Sequence, residues 1–160
     1  MREQADTIKQ PDGEHNDAPW FGHLLNQTAG RIRSQTAAAL GPLGITPPML
    51  RALETIAADQ PLTQVQLGAR VAMDRTTIVH VVDRFEALGY AQRKRSVVDR
   101  RSHDLTLTEL GETALDSGRR RAREVEEAIL APLAFDERQT LLALLQAIHE
   151  PANCPEEDRS

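Results

Sequence analysis

Between Thr63 and Thr108 the hydrophobic period of this 160-residue chain switches from helical to alternating and back, and that order narrows the possible folds more than any other feature. Thr63-Gln64-Val65-Gln66 has the form of a capping box, in which a threonine hydroxyl and a glutamine three residues later close the free amides of a short helix. Val65, Leu67 and either Val71 or Ala72 are expected to face inward. After a turn near Met73, Asp74 is placed to cap a helix that runs to Leu88 and stops at Gly89. Ile78, Val81, Val82, Phe85 and Leu88 share one side of that helix. At about 100° per residue Thr76, Val79, His80 and Asp83 point the opposite way, flanked by Thr77 and Arg84. Tyr90 to Arg95 and His103 to Leu107 then read as two short strands joined by a loop from Ser96 to Arg101.

Two short helices followed by a basic hairpin form the order that a winged helix-turn-helix needs, with one helix for the DNA major groove and a loop for the adjoining backbone. The formal charge of −5 argues against such a partner only until the charges are located. Residues 1–17 and 151–160 together carry eight acidic and three basic side chains, so the tails hold the whole excess and the body is neutral. From Thr63 to Arg101 eight bases (Arg70, Arg75, Arg84, Arg93, Lys94, Arg95, Arg100 and Arg101) face four acids, Asp74, Asp83, Glu86 and Asp99. A phosphate responds to charge within roughly 8 Å at physiological salt, which makes the local balance the relevant one.

The remainder reads as helices around this unit. Residues 1–17 and 151–160 are polar, charged and aperiodic, and are expected to be flexible tails. From Trp20, a stripe of Phe21, Leu24, Leu25, Thr28, Ile32, Thr36 and Leu40 predicts a long helix stopping near Gly41-Pro42. Thr46 ahead of Pro47 starts a second helix with Leu50, Leu53, Ile56 and Ala57 on its buried face. Thr108 opens another long helix, in which Gly111 is expected to be tolerated. In a last helix from Asp136, Leu141, Leu142, Leu144, Leu145 and Ile148 pack against this chain or a partner. One helix pair cannot bury both outer stripes, which favours a dimer. Four arginines between Arg119 and Arg123 read as a solvated face paired with Glu124, Glu126 and Glu127. No apolar run approaches the roughly 20 residues that span a bilayer, no signal-peptide core precedes the body, and a cytoplasmic protein is expected. Cys154 has no cysteine to pair with, and no metal cluster, cofactor fingerprint or catalytic motif is recognisable. The expected class is a mainly α, non-enzymatic protein with a small β-hairpin wing and no cofactor.

Asp74-Arg75-Thr76-Thr77, Val82-Asp83-Arg84, Leu88-Gly89, Asp99-Arg100-Arg101 and Leu107-Thr108 resemble the MarR family of bacterial transcriptional regulators, and the likeness runs from about Trp20 to His149. The resemblance implies a single unit over residues 18–150, with dimerisation helices at 18–42 and 109–150 around a winged-helix part at 46–108. It implies a homodimer on double-stranded DNA with a pseudo-palindromic operator, and repression relieved by a small aromatic or phenolic effector. The DNA-facing residues it implies are Thr63, Arg75, Thr76, Thr77, His80, Arg84, Arg93, Arg95, Arg100 and Arg101, with Asp74 and Asp99 bracing the wing through Arg101. The chain departs from the family at Val79, where threonine or serine is frequent, and at His80, where a basic residue is frequent. Trp20, Phe21 and His23 either line a ligand cleft or serve packing. The rival reading is a winged-helix protein-interaction module without DNA binding.

Overall fold

The computed structural model describes residues 20–95 and 103–149. The predicted hairpin loop with Asp99, Arg100 and Arg101 lies outside the described residues, as do both tails and Cys154. Six helices and three strands follow in the order α1 (Phe21–Leu40), α2 (Pro47–Asp59), β1 (Leu62–Thr63), α3 (Gln64–Val71), α4 (Arg75–Leu88), β2 (Ala91–Arg95), β3 (His103–Leu107), α5 (Glu109–Leu130) and α6 (Phe135–His149). Among the described residues no helix is long and apolar enough to cross a membrane.

Local chemistry sets most of these boundaries. Thr46 is the N-cap of α2, but its hydroxyl makes no cap bond; prolines at the first two helical positions leave Met49 as the first residue there with an amide donor. At Thr63 the capping box is complete: the hydroxyl accepts from the Gln66 amide, and the Gln66 side chain accepts from the Thr63 amide at 2.8 Å. Gly89 ends α4 at a φ of +72°, a conformation that costs glycine little and other residues more.

The core joins α2 through Met49, Leu50, Ala52, Leu53 and Ile56 to α4 through Ile78, Val81, Val82 and Phe85, with Leu67 and Val71 of α3 beside them. Leu62, Ala91, Leu105 and Leu107 close it from the sheet, and Ala114 and Leu115 from α5. Val65 does not face inward as expected; it is 77% exposed. Leu67 and Val71 lie four residues apart on one face, whereas Val65 precedes Leu67 by two residues, about 200° around the helix. Val71 takes the inward place and Ala72 turns into the left-handed region, φ 54°, to start the link to α4.

The sheet carries one strand more than a hairpin. β1 pairs antiparallel with β3 (Leu62 opposite Leu105) on the side away from β2, giving the order β1-β3-β2. Gly111 is required rather than merely tolerated, because a Cβ there would overlap the Tyr90 carbonyl oxygen. Two of the four arginines expected on a solvated face of α5 reach across the fold instead: Arg119 bonds Glu54 of α2 at 3.1 Å, and Arg121 donates to the Ala39 carbonyl of α1, while Arg120 and Arg123 stay exposed. The close approach of α5 to α2, where a Cβ on Gly118 would stand 2.7 Å from Leu50, puts those partners within reach. The leucines and isoleucine of α6 remain exposed on this protomer, from 36% at Leu141 to 63% at Ile148, so the described residues of the chain do not bury them.

Candidate nucleic-acid interface

The exposed face of α4 is prepared by Asp74. Its Oδ1 accepts from the Thr76 and Thr77 amides, each at 2.9 Å, and its Oδ2 accepts from the Thr77 hydroxyl at 2.7 Å. The Thr77 hydroxyl, then the Thr77 amide and more weakly that of Thr76, hold the carboxyl below its ordinary range. A folded pKa below the unfolded value means that the cap stabilises above the unfolded pKa and is lost as pH falls through the folded one. Asp74→Ala is therefore expected to lower the melting temperature at pH 7. The deficit should hold down to about pH 5 and begin to shrink below about pH 4, where the unfolded carboxyl starts to bind its proton, and it should vanish only once the folded carboxyl protonates as well. Melting curves of both proteins from pH 7 to pH 3 check this, and a deficit independent of pH would contradict it.

Arg75, Thr76 and His80 stand exposed on α4, and none has a side-chain partner among the described residues. Thr77 is exposed too, but its hydroxyl proton is committed to Asp74. Arg84 lies over the turn that follows α1: a Cβ on Gly44 would stand 3.0 Å from its Nη2. Thr63 at the head of α3 holds Gln66. On β2, Lys94 and Arg95 are exposed.

Arg93 is placed differently from the expectation of a free cation. Its Nη2 donates to Asp83 Oδ1 at 2.7 Å and to Gln64 Oε1 at 3.0 Å, and its Nη1 donates to Glu86 Oε2. Its amide also donates to Glu86 Oε1 at 3.1 Å. Asp83, expected among the groups facing base edges, is thereby tied to the wing. Glu86 and Gln64 were missed as functional partners; the run of bases in β2 signals a need for counter-charges without saying which residues supply them.

The aromatic group at the start of α1 lines neither of the two clefts found among the described residues. Trp20 is 84% and Phe21 60% exposed, and His23 is exposed as well. Two clefts lie elsewhere. A groove of about 760 Å³ runs between α1 and the N-terminal ends of α2 and α4, lined by Arg33, Arg51, Pro47, Pro48, Met73 and Thr77 among others. A smaller one of about 300 Å³ between α2 and α5 holds Glu54, Arg119, Arg123 and Glu126.

The sequence model of the MarR family matches residues 43–102, which span α2 to the wing. A Thauera aromatica protein named for transcriptional regulation of an hcr operon is 33% identical over 118 residues, covering 71% of each chain. This chain belongs to the MarR family. Solved MarR-type structures superpose on about four fifths of it. A probable transcriptional regulator from Pseudomonas aeruginosa is 34% identical, with a TM-score of 0.68, over 84% of this chain and 99% of the other. The transcriptional repressor CouR, solved on a 23-mer DNA duplex, is 27% identical with a TM-score of 0.71 over 81% of this chain and 92% of its own. The MarR assignment makes the chain a winged-helix transcriptional regulator.

Proposed function

We propose that this regulator is a homodimeric repressor that binds a pseudo-palindromic operator and leaves it when a small aromatic anion binds. The observation that carries the DNA reading is the recognition helix itself: Asp74 caps α4 so that Arg75, Thr76 and His80 stand exposed, with no side-chain partner among the described residues, beside a basic strand. Arg75 reaches a guanine edge or a phosphate, and His80 offers a ring nitrogen to a base edge. Arg100 and Arg101, by their resemblance to the family's wing, add minor-groove contacts. CouR, a repressor seen on DNA, supports the sign of regulation. Unburied apolar side chains on α6 and at the start of α1 support the dimer. A bacterial regulator acting on DNA works in the cytoplasm.

For the effector, the larger groove is the better host than Trp20, Phe21 and His23. It touches both α1 and the first turn of α4, and Arg33 and Arg51 at its edge have no acidic partner among the described residues. An apolar floor with two cations suits a ring bearing a carboxylate. A ligand favouring one spacing of α1 and α4 shifts the population between DNA-competent and incompetent forms.

One titration tests the reading: fluorescence anisotropy of the chain's own upstream DNA at 50 and 200 mM salt, with and without benzoate. A protein making six or more phosphate contacts is expected to lose roughly a thousandfold in affinity across that range. Arg100→Ala should weaken binding at both salts, and benzoate should weaken it further. Binding that ignores salt would favour the protein-interaction module instead.

A further inference from the structure

We infer that Arg93 serves DNA recognition as a positioning residue that bolts the wing to the recognition helix and keeps Asp83 away from the bases, and does not itself contact phosphate. The inference rests on the DNA-binding reading above. One guanidinium meets two carboxylates, Asp83 and Glu86, so the cluster carries a net charge of −1, and an approaching phosphate finds repulsion there. The Arg93 side chain is 25% exposed, and both of its terminal nitrogens already donate. The three acceptors come from two elements: Gln64 opens α3, and Asp83 and Glu86 lie three residues apart on α4. The amide bond from Arg93 to Glu86 adds a backbone tie, which sets the position of β2 along α4 and not merely its proximity.

The specificity consequence follows from Asp83. A free carboxylate on the exposed side of α4 would accept from a cytosine amino group and repel the backbone. Held at 2.7 Å by Arg93, it does neither. A planar fork that bonds two carboxylates and an amide at once is a task for arginine, whose donors are fixed in one plane; a lysine ammonium cannot reproduce it.

The test uses a duplex selected by the wild-type full chain from a randomised 30-base-pair library, with affinity measured across a salt series. Each phosphate contact contributes about 0.9 to the slope of log affinity against log salt on duplex DNA. Arg93→Met is expected to lose at least tenfold in affinity with an unchanged slope, and Arg93→Lys to recover little of it. The double change Asp83→Asn with Glu86→Gln frees the guanidinium to reach phosphate and is expected to steepen the slope by about one. A slope that falls by about one in Arg93→Met, or an affinity that does not change, overturns the inference. Should Arg93→Met fail to fold, the double variant decides: a steeper slope supports the role and an unchanged slope overturns it. Absence of any salt-dependent binding by the wild type removes the DNA reading, and this role with it; wild-type binding with the wrong variant slopes removes this role alone.

Discussion

Gly111→Ala is expected to lower the unfolding free energy by about 3 kcal/mol and the melting temperature by about 10 °C. The added carbon would overlap the Tyr90 carbonyl oxygen and stand 2.8 Å from its carbonyl carbon, and neither atom belongs to a flexible side chain that could move aside. That carbonyl also accepts from the Thr108 amide at 3.1 Å, and the Thr108 hydroxyl accepts from the Gly111 amide at 3.0 Å, so moving it opens the N-cap of α5. The Tyr90 hydroxyl donates to Leu43 at 3.0 Å, which carries the disturbance to the link between α1 and α2. Gly22→Ala is the control: nothing lies within 4 Å of a Cβ there, and a gain of up to about 1 kcal/mol from helix propensity is expected. Thermal unfolding followed by circular dichroism checks both. Equal melting of Gly111→Ala and wild type would show that the Tyr90 backbone yields freely.

Pairing Leu144→Glu with Ile148→Glu is expected to weaken the homodimer a hundredfold or more and to abolish operator binding with it. These positions are 58% and 63% exposed on the protomer, so glutamate there keeps most of its surface in water unless a partner covers it. The cost arises only where a partner covers them, since an unpaired carboxylate taken out of water costs several kcal/mol. Each dimer would carry four such charges. Sedimentation should show the variant as a monomer at micromolar concentration, with a melting temperature that no longer rises with protein concentration as a coupled dimer requires. A variant that still sediments as a dimer would place the interface elsewhere.

Much of the fold was legible because its signals are local. The Thr63 capping box, the Asp74 cap, the Gly89 stop and the two strands of the wing each depend on residues within a few positions of one another, where backbone hydrogen bonding and steric limits decide the conformation. The face of α4 that carries Thr76 and His80 followed from the same reasoning, as did the buried set of Ile78, Val81, Val82 and Phe85, whereas Arg75 came from the family resemblance. Val65 was misjudged because its hydrophobicity was weighed ahead of its angle on a helix of only eight residues. The two-residue strand β1 was missed because so short a segment has no period of its own.

What the amino-acid order determined alone, then, is where each helix begins and ends, which side of it is apolar, and that a basic hairpin follows the recognition helix. Tertiary structure decided the partners. Arg93 finds Gln64 twenty-nine positions away and Arg119 finds Glu54 sixty-five away, while Gly111 meets the Tyr90 backbone. A charge pattern states that an arginine needs an acceptor, but several acids satisfy that need equally until packing brings one of them within about 3 Å. The same holds for the groove beside Arg33 and Arg51, whose walls come from α1, α2 and the α3–α4 turn and exist only once the core has set the distances between them.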